Sequence, residues 1–392
     1  MKDEGLVVRE GNKGWQEGRA KNITFIVTKD CQLACKYCYL VGKNVQERMS
    51  WEIAKAAIDF VLNREDDPDF DYPSVIWDFI GGEPFLEIDL IEKICDYIKT
   101  ELFSRNHRWF NSYRFSFSTN GINYDSEKVQ RFIEKNKEHL SIGITIDGTQ
   151  RKHDLNRVYK NSERGSYADV ARNIPLWLEQ FPGAGTKVTI SSADIPYICE
   201  SVLHLYKLGI RQVNINCVFE DVWSEDDDKL FEDQLILLAD AIIDEDLYRG
   251  YSCSFFQEHL GHPMDCVYDN QNWCGAGKML AVDAAGNFYP CTRFAQYSLR
   301  DKEAWIIGNI RDGIDKNKLR PFLTLDRCTQ STLECVNCEV AQGCAWCQGE
   351  NFDAAKTHTV FERSTAICKM HKARVRANNY YWNKLYRKLE KS

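Results

Sequence analysis

Short apolar runs alternate along the chain with longer segments whose apolar residues recur every three or four positions. The short runs are rich in β-branched and aromatic residues, which is typical of buried strands, whereas the longer period is typical of amphipathic helices. Because strands that alternate with helices usually form a parallel sheet, the pattern predicts an α/β fold. The predicted strands are residues 23–28, 75–80, 114–117, 140–146, 187–190 and 212–219.

Several of the intervening helices have recognisable signals. Ser50 is suited to cap a helix that has Glu52 in its first turn, where negative charge is favourable. The acidic run at residues 225–228 is predicted to lie at the start of another helix, at about residues 230–243, for the same reason. A further helix presents one apolar face, made of Ile91, Ile94, Cys95 and Ile98.

The pattern changes after Gly250. The rest of the chain has few long periodic runs but contains ten of the sixteen cysteines, which predicts a second, cysteine-rich domain. Residues 371–391 mix basic and aromatic side chains, which predicts a helix that packs its aromatic side or, alternatively, uses its basic face to contact an acidic peptide. The predicted units are an N-terminal extension at 1–22, an α/β unit at 23–250, the cysteine-rich domain at 251–368 and a C-terminal helix at 369–392.

Composition excludes several classes of protein. A chain of 392 residues with 44% hydrophobic residues can bury a large core and is too apolar to be disordered. No run reaches the roughly 18 apolar residues of a membrane helix, and residues 1–22 lack the apolar centre of a signal peptide. A cytoplasmic location with reduced, metal-bound cysteines is therefore predicted. The formal net charge of −8 argues against nucleic acid as a partner.

The most informative motif is a group of three cysteines, Cys31, Cys35 and Cys38, directly after the first predicted strand. Thiolates are soft ligands that suit iron. A 4Fe-4S cube has four iron corners, so a loop with three cysteines leaves one iron free to bind another molecule. The alternative is a structural zinc site that lacks one ligand.

This loop resembles the signature of the radical S-adenosylmethionine (SAM) superfamily, in which the amine and carboxylate of SAM chelate the free iron. The resemblance extends to the turn after the second strand, whose residues match the family's GGEP motif: Gly81, Gly82, Glu83 and Pro84. It implies that this turn binds the SAM amino group, since glycines let the backbone approach a ligand closely. It also implies that Tyr37, inside the cysteine loop, is a SAM-binding residue.

Later segments match the same family. The resemblance implies that Ser118 and Asn120 after the third strand, and Asp147 after the fourth, face the SAM ribose and the substrate. Residues 153–157 match a segment near the SAM carboxylate, with which the Arg157 guanidinium could pair bidentately. The alternative for this segment is a salt bridge in a surface loop. The implied fold is a partial (β/α)6 barrel, similar to a TIM barrel, with its chemistry at the C-terminal strand ends.

The C-terminal cysteines resemble those of the SPASM domain, which binds auxiliary iron-sulfur clusters, so the resemblance implies three 4Fe-4S clusters in all. It assigns the auxiliary clusters to two sets, Cys335, Cys338, Cys344 and Cys368, and Cys274, Cys291 and Cys347. Cys266, Cys328 or a substrate thiolate could complete the second set. The spacing departs from the family pattern in one respect, because Cys347 follows Cys344 by three positions instead of four. A zinc knuckle is the alternative for residues 335–347.

Family members with this combination mostly modify peptides, so the resemblance implies an oxidoreductase that matures a ribosomally made precursor peptide. The likeness is to maturases of precursors with repeated Cys-x-x-x units, and segments 272–277 and 344–349 contribute to it. It implies reductive cleavage of SAM to a 5'-deoxyadenosyl radical and a thioether between a cysteine sulfur and a carbon of another residue. Thr292 follows Cys291 where sulfatase-maturing relatives have an acid, which disfavours sulfatase maturation.

Other reactions and partners stay open from the sequence. The alternatives are carbon–carbon crosslinking or another peptide oxidation, sulfatase maturation, and a radical SAM reaction on a small molecule; the GGEP motif disfavours a simple electron carrier. The implied partners are a precursor peptide with its leader and a flavodoxin- or ferredoxin-type reductant. Because the N-terminal extension is short, either a separate leader-recognition protein or a surface of the barrel is expected to bind the leader. The cysteines outside these motifs are predicted to be packing residues: Cys95, Cys199, Cys217 and Cys253.

Overall fold

The computed structural model describes residues 19–268 and 274–391. The strands assigned in this part of the chain are β1 (Ala20–Thr28), β2 (Ser74–Gly81), β3 (Tyr113–Thr119), β4 (Leu140–Ile144), β5 (Thr186–Ile190), β6 (Gln212–Cys217), β7 (Ser252–Cys253), β8 (Leu280–Val282), β9 (Asn287–Tyr289), β10 (Gly308–Asn309) and β11 (Gly313–Ile314). The α-helices are α1 (Trp51–Leu62), α2 (Ile88–Ser104), α3 (Glu127–Asn136), α4 (Gln150–Asn156), α5 (Tyr167–Ala171), α6 (Ile174–Gln180), α7 (Ile198–Lys207), α8 (Asp227–Asp244), α9 (Lys316–Thr324), α10 (Arg327–Gln330), α11 (Leu333–Val336), α12 (Gln348–Ala354) and α13 (Cys368–Leu389). Most of the predicted N-terminal extension and part of segment 272–277 lie outside the described residues.

The first seven strands are parallel wherever they pair. β1 to β4 pair in chain order, and β5, β6 and β7 form a second ladder. A bridge between Thr145 and Lys187 joins the two ladders. All six predicted strands are confirmed to within a few residues at their ends. β7 lies just beyond the predicted boundary at residue 250, so the parallel strands continue into the predicted second domain.

The cysteine-rich half contributes strands to the same sheet as the first half. β8 pairs in parallel with β1, with Ile23 opposite Leu280, and β9 pairs antiparallel to β8. The larger sheet therefore has eight strands in the order β11-β10-β9-β8-β1-β2-β3-β4. The sequence pattern does not predict this pairing. Its consequence is that β1, which leads into the cysteine loop, has a neighbouring strand on both edges.

Helices cover one face of the parallel strands. Phe25, Phe79 and Phe117 form a row across β1, β2 and β3, with ring centroids 5.7 and 5.1 Å apart. Phe117 also meets Phe132 of α3 edge-on, which identifies this side of the strands as the helix-facing side. Because successive side chains of a strand point to opposite faces, the residues between these phenylalanines face the inside of the barrel.

The predicted helix signals are confirmed. The Ser50 side chain accepts a hydrogen bond from Ile53 N–H at the start of α1, and the apolar face of α2 is fully buried. The predicted packing cysteines are buried with one exception, Cys199, which is half-buried: the buried ones are Cys95, Cys217 and Cys253. None of the helices in the described part of the chain is both long enough and apolar enough to cross a membrane.

The last helix, α13, packs as predicted. Tyr381 stacks on Phe256 with ring centroids 4.4 Å apart. Its basic side also faces the protein, because Lys384 lies 2.9 Å from Asp240 of α8. Several of the basic residues that the sequence left available for an acidic peptide are therefore paired with the acidic side of α8, as Arg376 also shows.

Candidate active site

The cysteine loop leaves β1 and crosses the C-terminal ends of the strands. Backbone hydrogen bonds tie it to the segment that follows α4. Ala34 N–H donates to Val158 O at 2.8 Å, and Lys36 N–H donates to Asn156 O at 3.0 Å. Because Arg157 lies between these two acceptors, the same contact positions the cysteine loop and the guanidinium.

The three thiols of the loop lie near one another. Cys31 is 4% exposed, and burial raises its pKa to about 11, with a smaller effect from the Glu83 carboxylate. Burial also raises the pKa of Cys35, which is close enough to Cys31 and Cys38 for the charges to interact. Among residues 19–268 and 274–391, no three Cys, His, Asp or Glu side chains converge on a single metal ion. A 4Fe-4S cube does not require this, because each cysteine binds a different iron.

The GGEP turn lies directly against the end of β1. A Cβ on Gly81 would be 2.2 Å from Thr28 O, and one on Gly82 would be 2.1 Å from Asp30 O. Gly82 N–H donates to Thr28 O at 3.0 Å. The close approach of two strand ends therefore explains both glycines, whereas the sequence pattern attributes them to close approach by a ligand. Pro84 follows as a buried residue at the start of a short 3-10 helix.

Glu83 connects the ends of β2 and β3. Its carboxylate is buried and accepts hydrogen bonds from Thr119 Oγ1 (2.6 Å), Asn120 N–H (2.7 Å) and Phe85 N–H (3.1 Å). Burial raises the pKa of Glu83, an effect that the hydrogen-bond donors partly offset. The Asn120 amide nitrogen lies 3.8 Å from Cys31 Sγ. Glu83 thus positions Asn120 beside the cysteine loop.

Tyr37, Asp147 and Arg157 form a polar cluster in the interior. The Tyr37 hydroxyl donates to the Asp147 carboxylate and accepts a 3.0 Å hydrogen bond from Arg157 Nη1. Burial alone would raise the pKa of Asp147, but the charges of Lys152 and Arg157 lower it, so the carboxylate is ionised. Arg157 is 6% exposed, and its Nε–H has no hydrogen-bond partner among the described residues. Arg157 is therefore buried beside the loop instead of forming a surface salt bridge, and its unpartnered donor suits a carboxylate.

A neutral histidine supports this cluster. Asp147 N–H donates to His153 Nδ1 at 3.2 Å, and His153 Nε2 lies 3.0 Å from Ser166 Oγ. Nδ1 is thus the acceptor, and the ring hydrogen belongs on Nε2. Burial, followed by the positive charge of Arg157, lowers the pKa of His153 to about 3. The ring therefore orients Asp147 without adding charge to the site.

A cavity of about 300 Å³ opens beside the cysteine loop, which is within the usual size range of small-molecule sites. Its wall includes Cys38 from the loop, residues 191–193 after β5 and Glu220 after β6. Arg293, from the cysteine-rich half, donates to Glu220 Oε1 at 2.6 Å and lies 4.1 Å from the centre of the Tyr39 ring. Both halves of the chain therefore contribute to this site.

The C-terminal cysteines fall into the two predicted sets. One pocket is lined by Cys335, Cys338, Cys344 and Cys368. In the other set, burial raises the pKa of Cys274 and of Cys291, and both thiols are close enough to Cys347 for the charges to interact. Donors approach the sulfurs in both sets, Arg363 Nη2 at 3.2 Å from Cys344 Sγ and Gln348 N–H at 3.4 Å from Cys274 Sγ.

The fourth ligand of the second set has two candidates within the protein. These candidates, Cys266 and Cys328, are both exposed at the protein surface, whereas the three cysteines of the set lie together. Residues 269–273, which precede Cys274, are outside the described part of the chain. The choice among Cys266, Cys328 and a substrate thiolate therefore stays a prediction.

Several residues of the site are absent from the sequence prediction: Gln32, Lys152, Asp194, Glu220 and Arg293. Glu220 had a usable signal, because it is a polar residue directly after the end of a predicted strand. Asp194 had none, since its importance comes from a buried ion pair with Lys152 at 3.7 Å, between side chains that no local pattern connects. Ser118, which was predicted to face the SAM ribose or the substrate, lies two positions before Asn120 on β3 and accepts a hydrogen bond from Lys187.

The part of the chain that forms most of this site matches a known protein family. The model of the Radical SAM superfamily matches residues 25–191, which include the cysteine loop, the GGEP turn and Arg157. This segment is therefore similar to the radical SAM domain, and the chain has the α/β radical SAM fold.

Two proteins of known sequence are similar to half or more of the chain. An uncharacterised protein of Methanocaldococcus jannaschii is 31% identical over 204 residues, which cover 50% of this chain and 62% of that protein. A serine-type anaerobic sulfatase-maturating enzyme of Bacteroides thetaiotaomicron is 22% identical over 293 residues, 67% of each chain. The chain thus spans less than two thirds of the length of the first of these relatives.

Solved structures share the fold over most of the chain. anSMEcpe with bound AdoMet has a TM-score of 0.65 and 17% identity, and the match covers 94% of this chain and 99% of that one. SuiB of Streptococcus suis, bound to the precursor peptide SuiA, has a TM-score of 0.57 and 13% identity, and the match covers 90% and 78%. At these identities the likeness establishes the fold.

Proposed function

We propose that this protein is a radical SAM enzyme that modifies a precursor peptide by joining a cysteine sulfur to a carbon of another residue. The observation that carries the proposal is the cavity in which Cys38 of the cysteine loop and Glu220 share one wall, with Arg293 from the cysteine-rich half behind it. The fold supports a peptide substrate, since SuiB has been solved with a precursor peptide and anSMEcpe with the Kp18Cys peptide.

The residues around the loop suit the resident groups of this class. Cys31, Cys35 and Cys38 would hold a 4Fe-4S cluster, and SAM would lie beside it. When bound and reduced by one electron, these groups would supply the radical chemistry that removes a hydrogen atom from an unactivated carbon. Arg157 offers a buried, unpartnered N–H to the SAM carboxylate. Asp147 and Tyr37 fix the orientation of that guanidinium.

Thioether formation also releases the proton of the substrate thiol, so the site needs a proton acceptor. We assign this role to Glu220, a carboxylate on the cavity wall whose orientation Arg293 holds. Thr292, the residue next to Cys291, offers only a hydroxyl, and that hydroxyl hydrogen-bonds to Tyr39. One electron remains after the bond forms. The two C-terminal cysteine sets would hold auxiliary 4Fe-4S clusters that can accept it, and a flavodoxin- or ferredoxin-type protein would be the reductant.

Sulfatase maturation is the second candidate, because two of the sequence relatives are anaerobic sulfatase-maturating enzymes. Its product would be an aldehyde on the substrate and not a crosslink. The two products differ chemically, since the aldehyde reacts with hydrazines whereas a thioether removes a free thiol from the peptide.

Co-expression with a short, cysteine-rich precursor peptide tests the proposal. We expect the peptide to lose the mass of two hydrogens per crosslink and to resist thiol alkylation at the linked cysteine. Cys31→Ala should abolish the change, whereas Cys199→Ala, a half-buried cysteine outside every set, should preserve it. A hydrazine-reactive peptide would favour sulfatase-type oxidation, and an unmodified peptide with the iron-loaded wild-type protein would contradict both.

A further inference from the structure

The inside of the barrel is lined mainly by polar side chains. In the strand register, Thr24 of β1 lies opposite Asp78 of β2, which lies opposite Ser116 of β3. On the second ladder, Lys187 of β5 lies opposite Asn214 of β6. Closed barrels fill these positions with layers of bulky, branched residues. Here the side chains are too polar to form such a core.

Part of this inner surface is open to solvent, although Thr24 is buried and Asp78 and Ser116 are partly buried. Ser141, Lys187, Asn214 and Asn216 are exposed although they lie on strands whose other face is buried under helices. A Cβ added to Gly143 would meet nothing closer than 3.8 Å, and the nearest atoms are backbone oxygens. The apolar inner residues are Ile26 and Ile80, which lie nearer the cysteine loop, and Ile76, which lies two positions before Asp78 on β2. A polar lumen therefore extends from the site toward the other end of the barrel.

An acidic and a basic side chain are anchored within this lumen. Burial raises the pKa of Asp78, an effect that hydrogen bonds from Ser116 and Thr24 and the positive charge of Lys187 partly offset. Lys187 Nζ donates to Ser118 Oγ at 2.7 Å. The two serines are separated by one residue on β3, so the carboxylate and the ammonium are attached about 7 Å apart along the strand.

We propose that this lumen binds the part of the precursor peptide next to the modified residue, with the side-chain amide of an Asn or Gln held between Asp78 and Lys187. An amide has an N–H donor for the carboxylate and a carbonyl acceptor for the ammonium, so it matches both groups at once. An aliphatic side chain would leave both unpaired. The inference rests on the proposed function, because it names the substrate feature that the same enzyme would select.

The geometry also gives the position of that residue in the peptide. Asn120, which lies beside Cys31, is four positions along β3 from Ser116, or about 13 Å at 3.3 Å per residue. An extended peptide covers this distance in about four residues. The selected Asn or Gln should therefore lie about four positions from the reacting residue.

Fluorescence anisotropy with labelled peptides tests this selection directly. The probes are twelve-residue Gly/Ser peptides with one cysteine and, four positions away on either side, Asn, Leu, Lys or Glu. Full-length, iron-loaded protein with SAM should bind the Asn peptide about tenfold more tightly than the Leu peptide. Asp78→Asn and Lys187→Met should each remove the preference. Lys207→Met, at the exposed end of α7, is the matched control and should preserve it.

A third variant keeps the test decisive if one of the charge substitutions prevents folding. Gly143→Val adds bulk where the lumen is open, so it should weaken binding of all the peptides without touching either charge. If Asp78→Asn does not load iron, Lys187→Met and Gly143→Val decide the result. Equal binding of the Asn and Leu peptides by the wild-type protein, no measurable binding, or a preference for Lys or Glu would overturn the proposal.

The same peptides separate this inference from the proposed function. A SAM-dependent mass loss without any Asn preference would overturn the lumen proposal and leave peptide maturation standing. An Asn preference that disappears in Lys187→Met, without a mass change in any peptide, would support the lumen and contradict thioether formation.

Discussion

Arg157 donates a 3.0 Å hydrogen bond to the hydroxyl of Tyr37, which lies 120 positions earlier in the chain. The same hydroxyl donates to Asp147, so the guanidinium belongs to a cluster that joins three separate segments at the strand ends. The bond orients a buried cation beside the cysteine loop while its Nε–H stays available. This arrangement defines where a carboxylate-bearing ligand would bind.

Arg157→Gln should weaken SAM binding. Charge-assisted hydrogen bonds contribute about 1.5–3 kcal/mol, so we expect the dissociation constant to rise about 10- to 100-fold. Equilibrium dialysis of labelled SAM against iron-loaded protein measures it. Arg172→Gln removes a half-exposed surface arginine that pairs with Asp125 and should leave binding unchanged. An unaltered dissociation constant in a folded Arg157→Gln protein would refute the assignment.

Iron content should follow the cysteine sets. Anaerobically reconstituted wild-type protein should contain about twelve irons, and the Cys31/Cys35/Cys38→Ala variant about eight, because each 4Fe-4S cluster contributes four. Iron and sulfide analysis with Mössbauer spectra provides the measurement, and Cys199→Ala is the control. A wild-type content of about four irons that falls to none in the variant, with zinc retained, would mean that the C-terminal cysteines are structural.

Mild acid should destabilise the protein through His153. Burial lowers its pKa in the folded state to about 3, whereas an unperturbed histidine titrates near 6.5. The unfolded chain therefore binds the extra proton first, so stability is complete above pH 6.5 and is lost as the pH falls. We expect about 2 kcal/mol of this loss between pH 7 and pH 5.

Urea unfolding of apoprotein at the two pH values checks this expectation. His153→Gln should show a smaller pH dependence than the wild-type protein. His259→Gln, which changes an exposed histidine, should resemble the wild type. Equal pH dependence in the wild type and His153→Gln would show that the buried ring is not responsible.

Arg363 should tune the potential of one auxiliary cluster. Its Nη2 lies 3.2 Å from Cys344 Sγ, and its guanidinium lies 4.2 Å from the centre of the Trp346 ring. A cationic donor at a ligand sulfur favours the reduced cluster, so Arg363→Gln should shift one midpoint potential by tens of millivolts toward negative values. Redox titration followed by EPR measures the shift. Arg376→Gln, which affects a surface pair with Glu232, should cause none, and an unshifted Arg363→Gln would exclude the role.

Local patterns were sufficient for the strands and for the cysteine loop. In β2, Val75, Trp77 and Phe79 alternate with less buried residues, so both the strand and its buried face were visible in the sequence. The capping role of Ser50 was equally local. The loop cysteines were recognisable because their spacing is itself the chemical signal.

Contacts between distant segments could not be predicted in this way. The pairing of Glu220 with Arg293 depends on how the cysteine-rich half packs on the strand ends, and neither residue has a neighbour that indicates it. The alternation of buried and less buried residues already placed Asp78 and Lys187 on the inner faces of their strands. Only the strand register shows that the two side chains share one lumen.

The pairing of β1 with β8 also affects the order in which the chain can assemble during translation. β1 leaves the ribosome early, but Leu280, its partner opposite Ile23, is made more than two hundred residues later. At ordinary rates of synthesis this delay is on the order of 10–50 s. An unpaired strand edge invites pairing with other chains, so the nascent barrel is exposed to aggregation until its last neighbour emerges. A chain truncated before residue 280 would remain in that state.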